Sequence, residues 1–399
     1  MNKTVIKRRW KYNEILAILV VIWFAIAWFI GKQKAPENLE PFFTKAFHEA
    51  TEYRTISSKI SEAISSSGES LGYISVGEAS GYGGPINVAI AVDSIGNTTC
   101  LAVTDHRETP TFFDKTIKSD LLKNLVKTRV DDRIQLDEDI DGVAGATYTA
   151  RAIIQSTQQA AYEVGRTALE LEIPIDKRKI QFGLPEIFLI TLFLVAFLQR
   201  KYFKGKTRNI IRWITLITGI IFLGFIYNRP YVLAHVNMVL LGYFPAWDTH
   251  IYWYILIAGL LLFKTEKNWN TYCYDFCPFG ACQEVIGAIG GAKPTKIKWQ
   301  ETLKWLQRIL VIFAVSLALI YRNPGSFSFE IFGTLFDLEG SNIQFIVLAI
   351  VLLSSLFIYR PFCNYLCPLH KNTLEGLFDR TRKNFRKIWK SLKPKTVRS

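Results

Sequence analysis

The sequence predicts a polytopic α-helical membrane protein with six transmembrane helices and an exported α+β domain inserted after the first. Three observations carry this expectation. Of 399 residues, 50% are hydrophobic and 14% aromatic, with mean hydropathy +0.17, values that call for several membrane spans. Six apolar stretches, near 14–31, 184–199, 210–227, 250–264, 304–321 and 343–359, approach the roughly 20 residues that cross a bilayer. The formal charge of +14 is unevenly placed: residues 32–183 hold 17 Lys+Arg against 22 Asp+Glu, so the remainder carries +19. A uniformly basic surface would suggest nucleic acid; this division suggests basic cytoplasmic flanks and a mildly acidic exported domain. A lipid membrane is the expected partner, and nucleic acid is not.

Four regions follow: a basic N-terminus and anchor (1–31), the exported domain (32–183), a five-helix membrane domain (184–370) and a basic cytoplasmic tail (371–399). The first apolar stretch follows Lys3, Lys7, Arg8, Arg9 and Lys11 and contains Trp23, Trp28 and Phe29. It lacks a small-residue cleavage site, so it reads as an uncleaved anchor. Basic clusters at Arg200–Arg208, at Lys293–Lys298 and from Lys371 onward contrast with outer loops holding only Arg229 and Arg322. Both termini are therefore expected in the cytoplasm and residues 32–183 outside it, in a multi-pass inner-membrane protein.

Within the exported region, residues 35–70 read as polar and helical, and Gly72 opens a strand-rich stretch. Ile86, Val88, Ile90 and Val92 alternate as a half-buried strand does, with Thr98–Val103 as hairpin partner. Cys100 lies in that partner and reads as core. The decapeptide 141–150 is Asp-Gly-Val-Ala-Gly-Ala-Thr-Tyr-Thr-Ala. Gly145 and Ala146 allow close approach of backbone to a ligand. Ala150 to Val164 reads as the following helix, whose first N–H groups suit a phosphate. Asp141 is placed to organise the turn or a metal used during attachment.

The membrane region contains a repeat. Arg212–Cys277 reads as span, Tyr-Asn-Arg-Pro230, outer loop, span, Cys273-x3-Cys277-Pro; Arg308–Cys367 reads as span, Tyr-Arg-Asn-Pro324, outer loop, span, Cys363-x3-Cys367-Pro. The i, i+4 spacing puts both thiols of a pair on one side of a helical turn. Two such pairs, Cys273, Cys277, Cys363 and Cys367, offer four thiolates for zinc or an iron–sulfur centre; free thiols at a helix end are the plainer reading, and Cys282 is a spare ligand. His235 and His250 stand near outer span ends, where a quinone is a candidate ligand and an interfacial histidine is the ordinary explanation.

The Gly-Ala-Thr147 motif, with Gly81-Tyr82-Gly83-Gly84 and His106-Arg107-Glu108-Thr109-Pro110 upstream, resembles FMN-binding domains of the NqrC/RnfG type. The resemblance implies FMN joined to Thr147 by a phosphoester, attached by an ApbE-type flavin transferase. Gly145, Ala146, Thr149, Asp141, Glu108, Thr109, Gly83 and Gly84 would surround it. The whole arrangement resembles the NosR/NirI-like family, including membrane flavoproteins associated with reductive dehalogenases. That resemblance implies electron transfer between a quinol or cytoplasmic-side donor and an exported redox acceptor protein. The alternative is a redox sensor or assembly factor for an exported metalloenzyme. Because a bilayer core is about 30 Å thick, a cytoplasmic-side cysteine centre would need a further carrier to reach the flavin.

Overall fold

The computed structural model describes residues 3–33, 39–126, 128–134, 143, 145–173, 180–263, 271–293 and 299–369. Asp141 and the basic tail fall outside them.

The domain expected outside the membrane is built on a five-stranded antiparallel meander in the order β1-β2-β3-β4-β5: Ala50–Ser57, Ile60–Ser65, Ser70–Ser80, Pro85–Val92 and Thr98–His106. The expected strand 86–92 and its partner are β4 and β5, with Ile90 opposite Leu101. The expectation of helix through 35–70 is corrected: among the described residues only Glu40–Ala46 is helical there, and 50–65 is the β1-β2 hairpin. β1 lies at a sheet edge and is mostly solvent-exposed. Its Glu, Arg, Thr and Ser residues therefore show no apolar alternation.

The helix Thr147–Thr167 crosses one face of this sheet, in place of the expected 150–164. Ala150, Ile153, Ile154, Ala160, Ala161 and Val164 bury against Ile86, Val88, Ile90 and Val92. Gly77 makes the contact possible, since a Cβ there would meet the carbonyl of Ser156. The Ser156 hydroxyl donates to the Ile86 carbonyl at 2.9 Å, pinning helix to strand. This packing fixes where Thr147 emerges.

Each of the six apolar stretches is helical. Ile15–Lys32, Gly205–Ile226 and Gln300–Tyr321 are long and apolar enough to cross a membrane. Ile251–Leu262 and Asn342–Ser355 are apolar but shorter, and Leu184–Tyr202 carries Glu186 at one end and Arg200 and Lys201 at the other. The last eight residues of the second long helix, Gly219–Ile226, wind as a π-helix, a form that often accompanies functional sites.

The two halves of the membrane repeat match in backbone detail. Asn228 and Arg322, each two residues before its proline, both have positive φ, 43° and 52°. At the other end, the Cys277 N–H donates to the Tyr272 carbonyl and the Cys367 N–H to the Phe362 carbonyl, both at 2.8 Å. The same turn thus closes each Cys-x3-Cys-Pro segment.

Candidate functional site

Thr147 is the first residue of its helix, and Ala146 at the N-cap supplies no side-chain cap. The first-turn N–H groups, which have no intrahelical partner, are left for a ligand. Gly145 precedes them with φ +77°, a left-handed conformation that favours glycine. Gly145, Ala146, Thr147 and Thr149 line a cleft whose other walls are Tyr82, Phe112 and Tyr148 of the same domain and Tyr227, Asn228 and Arg229 of the membrane region.

Glu108, Gly83, Gly84 and Thr109 stand one layer behind this cleft. Glu108 is fully buried. One oxygen accepts the N–H groups of Gly83 and Thr109 at 2.6 and 2.8 Å; the other accepts the Tyr82 N–H at 2.7 Å and the Thr149 hydroxyl at 3.1 Å. A Cβ on Gly83 would press on Glu108 and Thr109 at 2.7 Å, and one on Gly84 would meet the Arg107 carbonyl at 2.5 Å. The glycine loop and the Glu-Thr-Pro turn are therefore interlocked, and they hold Tyr82 and Thr149 at the cleft. Burial pushes the Glu108 carboxyl up to about 7, opposed by its four donors.

The loops that follow Tyr227 and Tyr321 in the two halves of the repeat both grip this module. From the first, Arg229 lies 4.2 Å over the Tyr148 ring and donates to its hydroxyl at 3.2 Å. Asn228 donates to Asp337 of the second loop, which pairs with Lys115 at 3.0 Å. The same Asp337 and Lys115 sit directly against Gly145. Gly325 rests on the Glu108–Thr109 peptide, where a Cβ would lie 2.5 Å from the Glu108 carbonyl carbon. The Tyr82 hydroxyl donates to the Pro230 carbonyl. Sequence reading missed Arg229 and Asp337 because no local motif marks a contact across more than 80 residues.

His235 and His250 are buried beside the cleft. His250 stacks on Tyr148 at 4.9 Å and His235 meets Tyr82 edge-on at 4.7 Å, so both support the cleft's aromatic wall. His106 stacks on Phe113 at 3.5 Å and is absent from the cleft lining; desolvation lowers its pKa.

The four cysteines share one neighbourhood. Cys277 and Cys367 are buried, and the charge on Cys367 would feel Cys363, Cys273 and Cys277. Arg360 donates to the Cys273 carbonyl at 2.8 Å and pairs with Glu284, which Arg212 also grips at 2.7 Å. Among the described residues, no three His, Cys, Asp or Glu side chains stand in metal-binding geometry. Gly219 packs against the Phe276 carbonyl, and the seven residues from Gly219 to Ile226 amount to roughly 10 Å of helix. Gln307, near the start of Gln300–Tyr321, donates to the Cys367 carbonyl at 2.6 Å.

A continuous aromatic layer joins the two features. Tyr82 touches His235, which stacks on Tyr231 at 6.0 Å; Tyr231 meets the Tyr272 ring at 6.0 Å, and its N–H donates to the Tyr272 hydroxyl at 2.8 Å. Tyr272 begins the turn that ends at Cys277. Tyr82, Tyr148, Tyr272, Cys277 and Cys367 belong to one buried cluster.

Comparison with known proteins bears on this module. Residues 81–162 match the family model described as FMN-binding domain. That range holds the glycine loop, the Glu-Thr-Pro turn and Thr147. The match supports FMN binding by this module and a flavin-dependent electron-transfer role. Among solved structures, the NqrC of Shewanella oneidensis aligns over 32% of this chain and 73% of its own length, at 17% identity and a TM-score of 0.22. No curated protein matches the chain significantly.

The residues at the cleft suit the group's phosphate, although the space between them, about 10 Å³, would have to open to admit the ring. An uncapped helix start suits a phosphate, Gly145 lets backbone approach it, Arg229 brings a cation, and tyrosine rings flank the space. Thr147 is half-buried and lines the cleft.

Proposed function

We propose that the chain is a membrane-bound electron-transfer flavoprotein. It carries FMN on Thr147 and passes electrons between a quinol or cytoplasmic-side donor and an exported acceptor. The observation that carries the reading is the aromatic layer running from the Thr147 cleft to the cysteine turns within one buried cluster. An FMN module serving only as a sensor would not require such a layer.

Bound at the cleft, FMN supplies an acceptor of one or two electrons. The chain's own groups do the rest. The first-turn N–H groups and Arg229 would hold the phosphate. Tyr82 and Tyr148 exclude water, and Glu108 keeps the glycine loop and Thr149 in register. Docking by both outer loops holds the module against the membrane region. The four thiols offer the donor chemistry of one soft-metal centre, and the reading extends to an iron-containing one shared by both halves of the repeat. Attachment to Thr147 calls for an ApbE-type flavin transferase.

The test is anaerobic purification of the full-length protein with flavin and metal analysis, followed by reduction in membranes. A flavin band that survives denaturing electrophoresis and is reduced by quinol supports the reading. A chain with no retained flavin after co-expression with a flavin transferase overturns it.

A further inference from the structure

A second cavity, of about 420 Å³, lies between the exported module and the outer loop of the second repeat. Three features decide what it would take. Phe112 lines both this cavity and the Thr147 cleft, so the two share a wall. The cavity reaches the edge of the spans: Gln344, in the first turn of Asn342–Ser355, lines it. Beside that edge, Leu338 and Ile343 are 74% and 73% exposed, an apolar rim that suits lipid. Finally, Glu330 lines the cavity with both oxygens anchored, one by the Leu233 N–H at 2.5 Å and the other by the Ser328 hydroxyl. Each oxygen keeps a further lone pair, and desolvation holds the carboxyl above the usual range.

These walls select against anions. Asp114, Glu330 and Glu339 are acidic, and Lys118 is already 3.8 Å from Glu339. They suit a neutral, flat, amphiphilic molecule with hydroxyl donors that arrives from the bilayer. Resting on the reading that FMN sits at Thr147, we propose that this cavity is a quinol-oxidation site with Glu330 as its proton acceptor. A quinol there loses two O–H bonds and becomes a quinone. Its two electrons pass across Phe112 to the flavin, one proton goes to Glu330 and the other to water at the outer surface.

The experiment uses the full-length flavinylated protein in nanodiscs. Duroquinol is the reductant in stopped-flow bleaching of the flavin band, and a photoreactive azidoquinone is the binding probe, mapped by peptide mass spectrometry. Glu330→Gln should slow bleaching by about a hundredfold, the typical loss of a general base, while dithionite bleaching and the covalent flavin band stay unchanged. Ser326→Trp, at an exposed rim position, should remove azidoquinone label from residues 326–344. Wild-type bleaching rates in both variants, or label mapping only elsewhere, would overturn the site and leave the flavoprotein reading intact. Label confined to 326–344 and lost in the Trp variant upholds the cavity even if duroquinol never bleaches the flavin; that result would sink the quinol-linked reading instead.

Discussion

Glu108 gives the sharpest quantitative expectation. Its carboxyl is fully buried and sits at about 7 in the fold against an ordinary 4.5. Between those values the folded site holds a proton that the unfolded chain has released, so stability falls as pH rises. At 1.36 kcal/mol per pH unit the interval corresponds to about 3 kcal/mol. That contribution should therefore be full below about pH 4.5 and be lost as pH climbs to about 7. Hydrogen exchange, corrected for intrinsic rates, reads this at the Tyr82, Gly83 and Thr109 amides, which donate to the carboxyl. Protection should drop between pH 5 and pH 8 in wild type. In Glu108→Gln the pH slope should vanish. Absolute protection should also fall, because the amide NH2 faces two donors where an oxygen stood; each lost partner costs about 1–3 kcal/mol. Equal protection at both pH values in wild type, or a slope that survives in the variant, would refute the reasoning.

Thr147→Ala should abolish the flavin band on a denaturing gel, whereas Thr149→Ala should keep it at a cost of about 1 kcal/mol for the lost hydrogen bond to Glu108; a band persisting in Thr147→Ala moves the attachment site. Lys115→Ala and Asp337→Ala should each loosen docking of the exported module, with a coupling of about 1 kcal/mol in a double-mutant cycle read by exchange across Pro110–Ile117; additive effects would deny that the pair acts as a clamp. Cys273→Ser should lower iron per chain to near zero, because a shared site folds as a unit, and a loss of one half would indicate two independent sites.

Much of the fold was legible because it rests on local pattern. The alternation at Ile86–Val92 and the helical stripe from Ala150 fall where the strand and helix form. Gly-Ala-Thr sits at that helix start because small residues and an uncapped first turn serve one purpose there. The β1-β2 hairpin was illegible because an edge strand with polar faces carries no period-2 signal. The depth of the cysteines was illegible for another reason. Cys-x3-Cys-Pro closes its helical turn within a few residues, so the pattern reports the turn but not its height in the membrane. The turns' contacts with Gly219 and Gln307 come from remote positions with no motif of their own.

The repeat also explains why the cleft is lopsided. Asn228 and Arg322 occupy equivalent left-handed turns, yet the arginine at each turn does different work. In the first copy Arg229 reaches over Tyr148 into the Thr147 cleft, with Tyr252 donating to its carbonyl at 2.8 Å. In the second copy Arg322 turns toward Tyr243, which it meets at 3.1 Å and which Arg107 of the module also contacts. One turn thus builds the cofactor wall and the other anchors the module beside it. A pseudo-symmetric membrane part can hold a single, asymmetric flavin module only if its two outer ends differ in this way. The inner ends have no such demand on them. There the two Cys turns close through the same hydrogen bond from each second cysteine, which is the condition for two halves to contribute equally to one thiol site.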